Sequence, residues 1–273
     1  MAYLYQLEDV AVKPKPYSHL YYCYRKLYDD QTKSQLMLFE NLHAQMMKAA
    51  WFYHDREIAR AKLIWWYDEV KGSFNGSAQH PLTKKLSQSN LTASQKQLII
   101  ELTEHALAFI IYDSDITSEN ALVDALESYF STFEKLKAQS IMPHLPEAIV
   151  QKMATITALA HYIYYLPELI KRELLIPKDD YLMNYQISQQ QLKVYQRSDG
   201  FCQWLNALNK TIHTTYQRLT SDLTSDDKKK LKPLIINLKI WLKLVKETKK
   251  NNYDLFNTQI QLSPIQMLFC DVF

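Results

Sequence analysis

Four groups of ionisable residues in this chain have types and spacings that suit chemistry. Tyr24, Arg25, Asp29 and Asp30 fall in one short stretch, YCYRKLYDDQTK, that ends in Lys33. Asp115 and Glu119 are four residues apart, as are Glu168 and Arg172, and Glu40, His43 and Gln45 sit together in FENLHAQMMKAA. Residues at i and i+4 share one helix face. Carboxylates so placed on facing helices can hold Mg²⁺, which takes octahedral oxygen ligands and commonly combines a few carboxylates with substrate phosphates. Each acidic pair also has a structural reading. Asp29 and Asp30 suit a helix stop and a cap, and Asp115 and Glu119 suit a loop followed by a helix N-terminus. His43, His105, His144, His161 and His213 form no zinc pattern. There is no glycine-rich phosphate loop and no nucleophile elbow. Cys23, Cys202 and Cys270 are far apart and odd in number, which suits unpaired thiols in a reducing compartment.

The elements that must position these groups are helices. With 3 glycines in 273 residues, the chain cannot supply the tight turns of an all-β protein or the crossovers of a doubly wound sheet. Pro14 and Pro16 make residues 1–17 an extended arm, followed by one helical domain over 18–273. Helices are expected over 19–28, from Thr32 or Ser34 to 53, over 56–72 behind Asp55, over 81–86, from Thr92 or Ser94 to 112, over 119–139, from 147 to about 175 with Pro167 inside, and over 188–197, 198–220 and 226–250, with a last one after Ser263. The apolar run 154–170 contains Thr155, Thr157, His161 and Pro167 and is shorter than the ~20 residues of a membrane span, so it reads as a buried helix. A net charge of +3 argues against nucleic acid as a partner. Residues 1–16 lack a basic stretch followed by an apolar core, and a cytoplasmic location, peripheral at the inner membrane, is expected.

Two further stretches carry binding potential. Trp65, Trp66, Tyr162, Tyr164 and Tyr165 could line an apolar pocket between helices or serve as ordinary core. The 226–250 helix repeats apolar residues at three and four, with lysines on its other faces. Lys239, Trp241 and Lys243 would place it on an anionic membrane, unless it is a core helix with a solvated lysine edge.

Three segments, in order, resemble the squalene/phytoene synthase family. The first carries Leu63, Trp65, Trp66, Glu69, Gly76, His80, Pro81 and Leu86. The second runs from Asp113 through a Thr-capped helix to Tyr129. The third is the small-residue helix ending in basic residues, then Ile176, Pro177, Asp179 and Leu182, with Asn184 and Tyr185 where the family has an aromatic or histidine followed by glycine. The resemblance spans about residues 18–270. It implies an all-α, single-domain, isoprenoid-synthase-type bundle around a central cavity, with Tyr24, His43, Gln45, Trp65, Trp66, His161, Tyr164 and Tyr165 on the cavity wall.

Family enzymes join prenyl diphosphates with Mg²⁺ held by two aspartate motifs, and neither motif is intact. The first window, FENLHAQMMKAA, has no aspartate. The second reads Tyr164-Tyr165-Leu166-Pro167-Glu168. No catalytic residues, no metal and no cofactor are therefore expected. The losses are similar to those of a non-catalytic branch that assists assembly of respiratory complex I, which implies an isoprenoid or lipid ligand, a protein client or a membrane surface as partner. The alternative is an active transferase with an atypical Mg²⁺ site built from Arg25, Asp29, Asp30, Glu168 and Arg172.

Overall fold

The computed structural model describes residues 18–27, 29–111, 115–258 and 260–272. The arm at 1–17 and Asp113 lie outside the described residues. Among the described residues all regular structure is helical: α1 (His19–Tyr24), α2 (Asp30–Phe52), α3 (Arg56–Phe74), α4 (Pro81–Gln88), α5 (Ala93–Ile111), α6 (Glu119–Gln139), α7 (Glu147–Lys171), α8 (Asp179–Leu182), α9 (Gln189–Lys193), α10 (Asp199–Asp222), α11 (Ser225–Lys230), α12 (Lys232–Lys250) and α13 (Pro264–Val272).

Helix position follows from apolar distribution. α7 is apolar on most of its circumference and buries residues on every turn, so it lies at the centre, packed by α6, α10, α12 and α2. The apolar residues that α10 buries are Phe201, Trp204, Leu205, Leu208, Ile212 and Leu219. That spacing of three and four marks one face, and α10 packs on the outside with its polar side in water. α3 lies outside α2 and α5 for the same reason. One apolar cluster runs from Leu38 through Ile260, and a smaller one joins α1, the start of α2, α12 and Met267.

Boundaries differ from the sequence reading where a cap overrides periodicity. Asp29, not Thr32 or Ser34, starts α2, its carboxylate accepting from the Gln31 and Thr32 amides. α7 stops at Lys171 because Glu173 and Leu175 take left-handed φ of 51° and 54°. The expected 226–250 helix is two helices broken at Leu231, with Pro233 opening the second. Proline is tolerated in a first helical turn, where its missing N–H is not needed. At Gly200, a Cβ would lie 1.8 Å from the Tyr185 carbonyl oxygen, so only glycine lets α10 start against the turn after α8.

Candidate functional site

The two windows that would carry metal ligands do face each other, since α2 packs against α7, but what meets between them is rings. His43 on α2 stacks on Phe133 of α6, with centroids 4.0 Å apart and planes 10° apart, and its Nδ1 lies 2.8 Å from the Tyr129 hydroxyl. His161 on α7 lies 5.4 Å from His43 and 3.8 Å from Trp241 of α12. Trp51, Phe130 and Tyr165 close the group. His43, His161, Phe130, Phe133, Trp51 and Trp241 are fully buried. Burial, and then the neighbouring charges, push His43 well below the ordinary histidine range. Burial takes His161 down to about 3 against a bond to the Thr157 carbonyl. Both imidazoles are therefore neutral near pH 7 and present no charge to a diphosphate.

Below these rings lies a buried ion cluster that the sequence reading did not identify. Lys137 of α6 is 0% exposed. Its ammonium donates to Glu134 Oε1 at 2.9 Å, lies 3.6 Å from Glu40 Oε1 of α2, and sits 4.2 Å over the Phe133 ring. Thr157 of α7 donates to Glu134 at 2.9 Å, and Tyr24 of α1 donates to Glu40 at 2.7 Å. Asn237 of α12 adds a 3.4 Å bond to Glu40 and is itself 2.8 Å from His19. Burial opposes the Lys137 charge, but Glu134 and Glu40 outweigh it and its pKa stands above the ordinary lysine value. The signal was present in the sequence: positions 126, 130, 133 and 137 share the core face of α6, and a lysine there must find a buried partner.

The residues of the enzymatic alternative are not brought together. Asp29 caps α2 and Asp30 begins it, both exposed. Arg25 ends α1 with its guanidinium 5.6 Å from the Tyr22 ring. Arg172 lies at the other end of α2, donating to the Phe52 carbonyl at 2.7 Å and to Glu168 Oε2 at 2.7 Å. With 23 residues, α2 separates the two sets by about 33 Å. Among the described residues, no three His, Cys, Asp or Glu side chains gather as a metal-holding group.

The remaining residues singled out fall into three places. Tyr24, Tyr164 and Tyr165 join the core, Tyr164 donating to the Ile260 carbonyl at 3.2 Å, and Gln45 is half-buried on α2. Trp65 and Trp66 lie away from the core rings, at the α3–α4 corner. There Trp66 packs edge-on to His80 at 4.8 Å and Trp65 is 45% exposed. That corner is held by Glu69, whose Oε1 accepts from the Gln79 amide, the His80 amide and the Thr83 hydroxyl, each at 2.6 Å. Burial raises the Glu69 pKa, but the three donors win and hold it below the usual carboxylate range. Trp241 is corrected from a surface anchor to a core residue: α12 is buried over most of its length, which turns the indole onto His161. Lys239 and Lys243 stay at the edge, half-buried. Among the described residues, no helix is long and apolar enough to cross a membrane.

No family model matches the chain, and no curated protein matches it. Solved structures are similar to it, two synthases among them. A squalene synthase from Alicyclobacillus acidocaldarius superposes with a TM-score of 0.63 at 14% identity, over 88% of this chain and 90% of that one. A dehydrosqualene synthase solved in complex with a ligand superposes with a TM-score of 0.68 at 12% identity, over 92% and 94%. The chain therefore has the all-α fold of squalene and dehydrosqualene synthases.

Proposed function

We propose that this chain uses the synthase-type bundle as a binding or assembly scaffold and does not join prenyl diphosphates. The observation that carries the reading is the content of the space between α2, α6 and α7: an ammonium, not an open set of oxygens, sits between Glu40 and Glu134. Neutral imidazoles and indoles fill the space above it. Mg²⁺ needs several oxygen ligands that are free to turn toward it. Glu134 is committed to Lys137 and Thr157, and one oxygen of Glu40 to Tyr24. These residues do not suit the metal that the fold's enzymes imply. The pairing of Arg172 with Glu168 and the α2 terminus leaves that guanidinium a structural task. An isoprenoid or other lipid, or a protein client, remains the partner class for such a scaffold.

Purified protein incubated with farnesyl diphosphate and Mg²⁺ is expected to return the substrate uncoupled. Native mass spectrometry of the same preparation is expected to carry a retained lipid or protein. Turnover to a coupled hydrocarbon overturns the reading, and its loss in Asp30→Ala would place the chemistry at the α1–α2 corner.

A further inference from the structure

The helix α13 packs on α12 and α1 by turning Met267 toward Tyr22, Met37, Ile236 and Ile240. Three further apolar residues of this helix, Ile265, Leu268 and Phe269, are 67%, 38% and 57% exposed. Their spacing of three and four places them on one face. Beside this ridge runs the outer edge of α12, and that edge is almost entirely lysine. The exposed or half-buried side chains of its last four turns include Lys239, Lys243, Lys246, Lys249 and Lys250, with Glu247 the one acid. Glu247 pairs with Lys243 at 3.3 Å and Lys250 at 2.9 Å, so the edge keeps a net positive charge. Its field reaches both neighbours. On α13, burial raises the Cys270 thiol while Lys243 and Lys239 pull it back. On α10, burial lowers His213 and Lys246 and Lys249 lower it further.

We propose that α13 and the lysine edge of α12 form a docking surface for an anionic lipid bilayer, with Ile265, Leu268 and Phe269 entering the headgroup boundary and the lysines over acidic headgroups. An apolar ridge with a cationic flank is the arrangement that binds such an interface. A second copy of the chain fits less well, because a two-fold contact through α13 would bring two lysine edges together. The surface adds to the scaffold reading a place where the scaffold is held, and it stands on separate residues.

The test is flotation of the full chain with vesicles of phosphatidylcholine alone and of phosphatidylcholine mixed with phosphatidylglycerol. Binding is expected only to the mixed vesicles, with release at high salt. Lys243→Gln and Lys246→Gln should each weaken it roughly fivefold. The pair Ile265→Ser with Leu268→Ser should weaken it roughly tenfold, with the helical circular dichroism unchanged. Absence of flotation with the mixed vesicles at low salt overturns the proposal, as does flotation that both sets of variants leave intact. A vesicle-free dimer that Ile265→Ser with Leu268→Ser dissolves would assign the ridge to a second copy and also overturn it. The prenyl diphosphate assay separates the two readings: a chain that floats and makes hydrocarbon loses the scaffold reading alone, and one that does neither loses this surface alone.

Discussion

Lys137 shows how a single side chain decides what the middle of this bundle can hold. A buried ammonium is tolerated only where carboxylates and hydrogen bonds replace its water, and here Glu134, Glu40 and the face of Phe133 do so. Removing one partner leaves a buried charge uncompensated. Lys137→Met is therefore expected to lose about 3–5 kcal/mol of unfolding free energy in urea at pH 7, whereas the triple change Lys137→Met, Glu134→Gln and Glu40→Gln should recover much of that loss. A triple variant as unstable as the single one would show that packing, not charge pairing, sets the cost. The cluster was half legible: the core-face register of Lys137 and its partner Glu134 three residues earlier could be read from α6, but Glu40 and Thr157 come from α2 and α7, at sequence distances that no local pattern spans.

At the scale of elements, the corner between α3 and α4 explains why Glu69 sits where it does. Helix N-termini leave amides unsatisfied, and Glu69 takes the two amides that lead into α4 together with the Thr83 hydroxyl. His80 adds a second cap through Nδ1 to the Leu82 amide at 3.1 Å. Glu69→Ala strands the two amides, while the Thr83 hydroxyl keeps the His80 carbonyl at 2.8 Å, and is expected to cost about 1.5–3 kcal/mol, with Glu69→Gln losing less because it keeps an acceptor. Amide hydrogen exchange at Gln79 and His80 should speed up in the alanine variant. Unchanged exchange there would remove Glu69 from this role. The segment's resemblance to synthases thus includes residues that build a corner. Pro167 makes a related point, since α7 runs four residues past it to Lys171. A proline in the last turns leaves the helix intact while taking a place in the window where a carboxylate ladder would stand.

For the whole molecule, the buried histidines set a pH dependence. Burial lowers His19 to about 4, against its bond to Asn237, lowers His161 to about 3, and lowers His43 well below 6.5. The unfolded chain binds protons at these sites below about pH 6.5 while the folded chain does not, so stability is lost as pH falls. Each site contributes roughly 1.4 kcal/mol per pH unit, or about 4 for the three together. Glu69, Glu168 and Glu247 carry depressed pKa values, and their contribution is lost only below their unfolded value of 4.5, so the interval from 6.5 to about 5 isolates the histidines. Urea unfolding across that interval should show the slope, to which His80 and His213, also lowered by burial, add, and His161→Gln should remove roughly 1.4 kcal/mol per pH unit of it. A flat profile would mean that water or a counter-charge reaches these rings.

The sequence alone determined that the protein is helical, because three glycines and long three-four apolar periods leave no other regular structure. It also located most helices and pointed to the fold through the Trp-Trp-Glu corner and the segment from His161 to Leu182. Tertiary structure decided what the helices place together. It put Asp30 and Arg172 at opposite ends of α2, turned Trp241 inward, joined Lys137 to Glu40 and Glu134, and left Ile265, Leu268 and Phe269 outside. The physical reason is that periodicity marks which face of a helix is apolar, while the neighbour that covers the face, or leaves it open, depends on how distant helices pack.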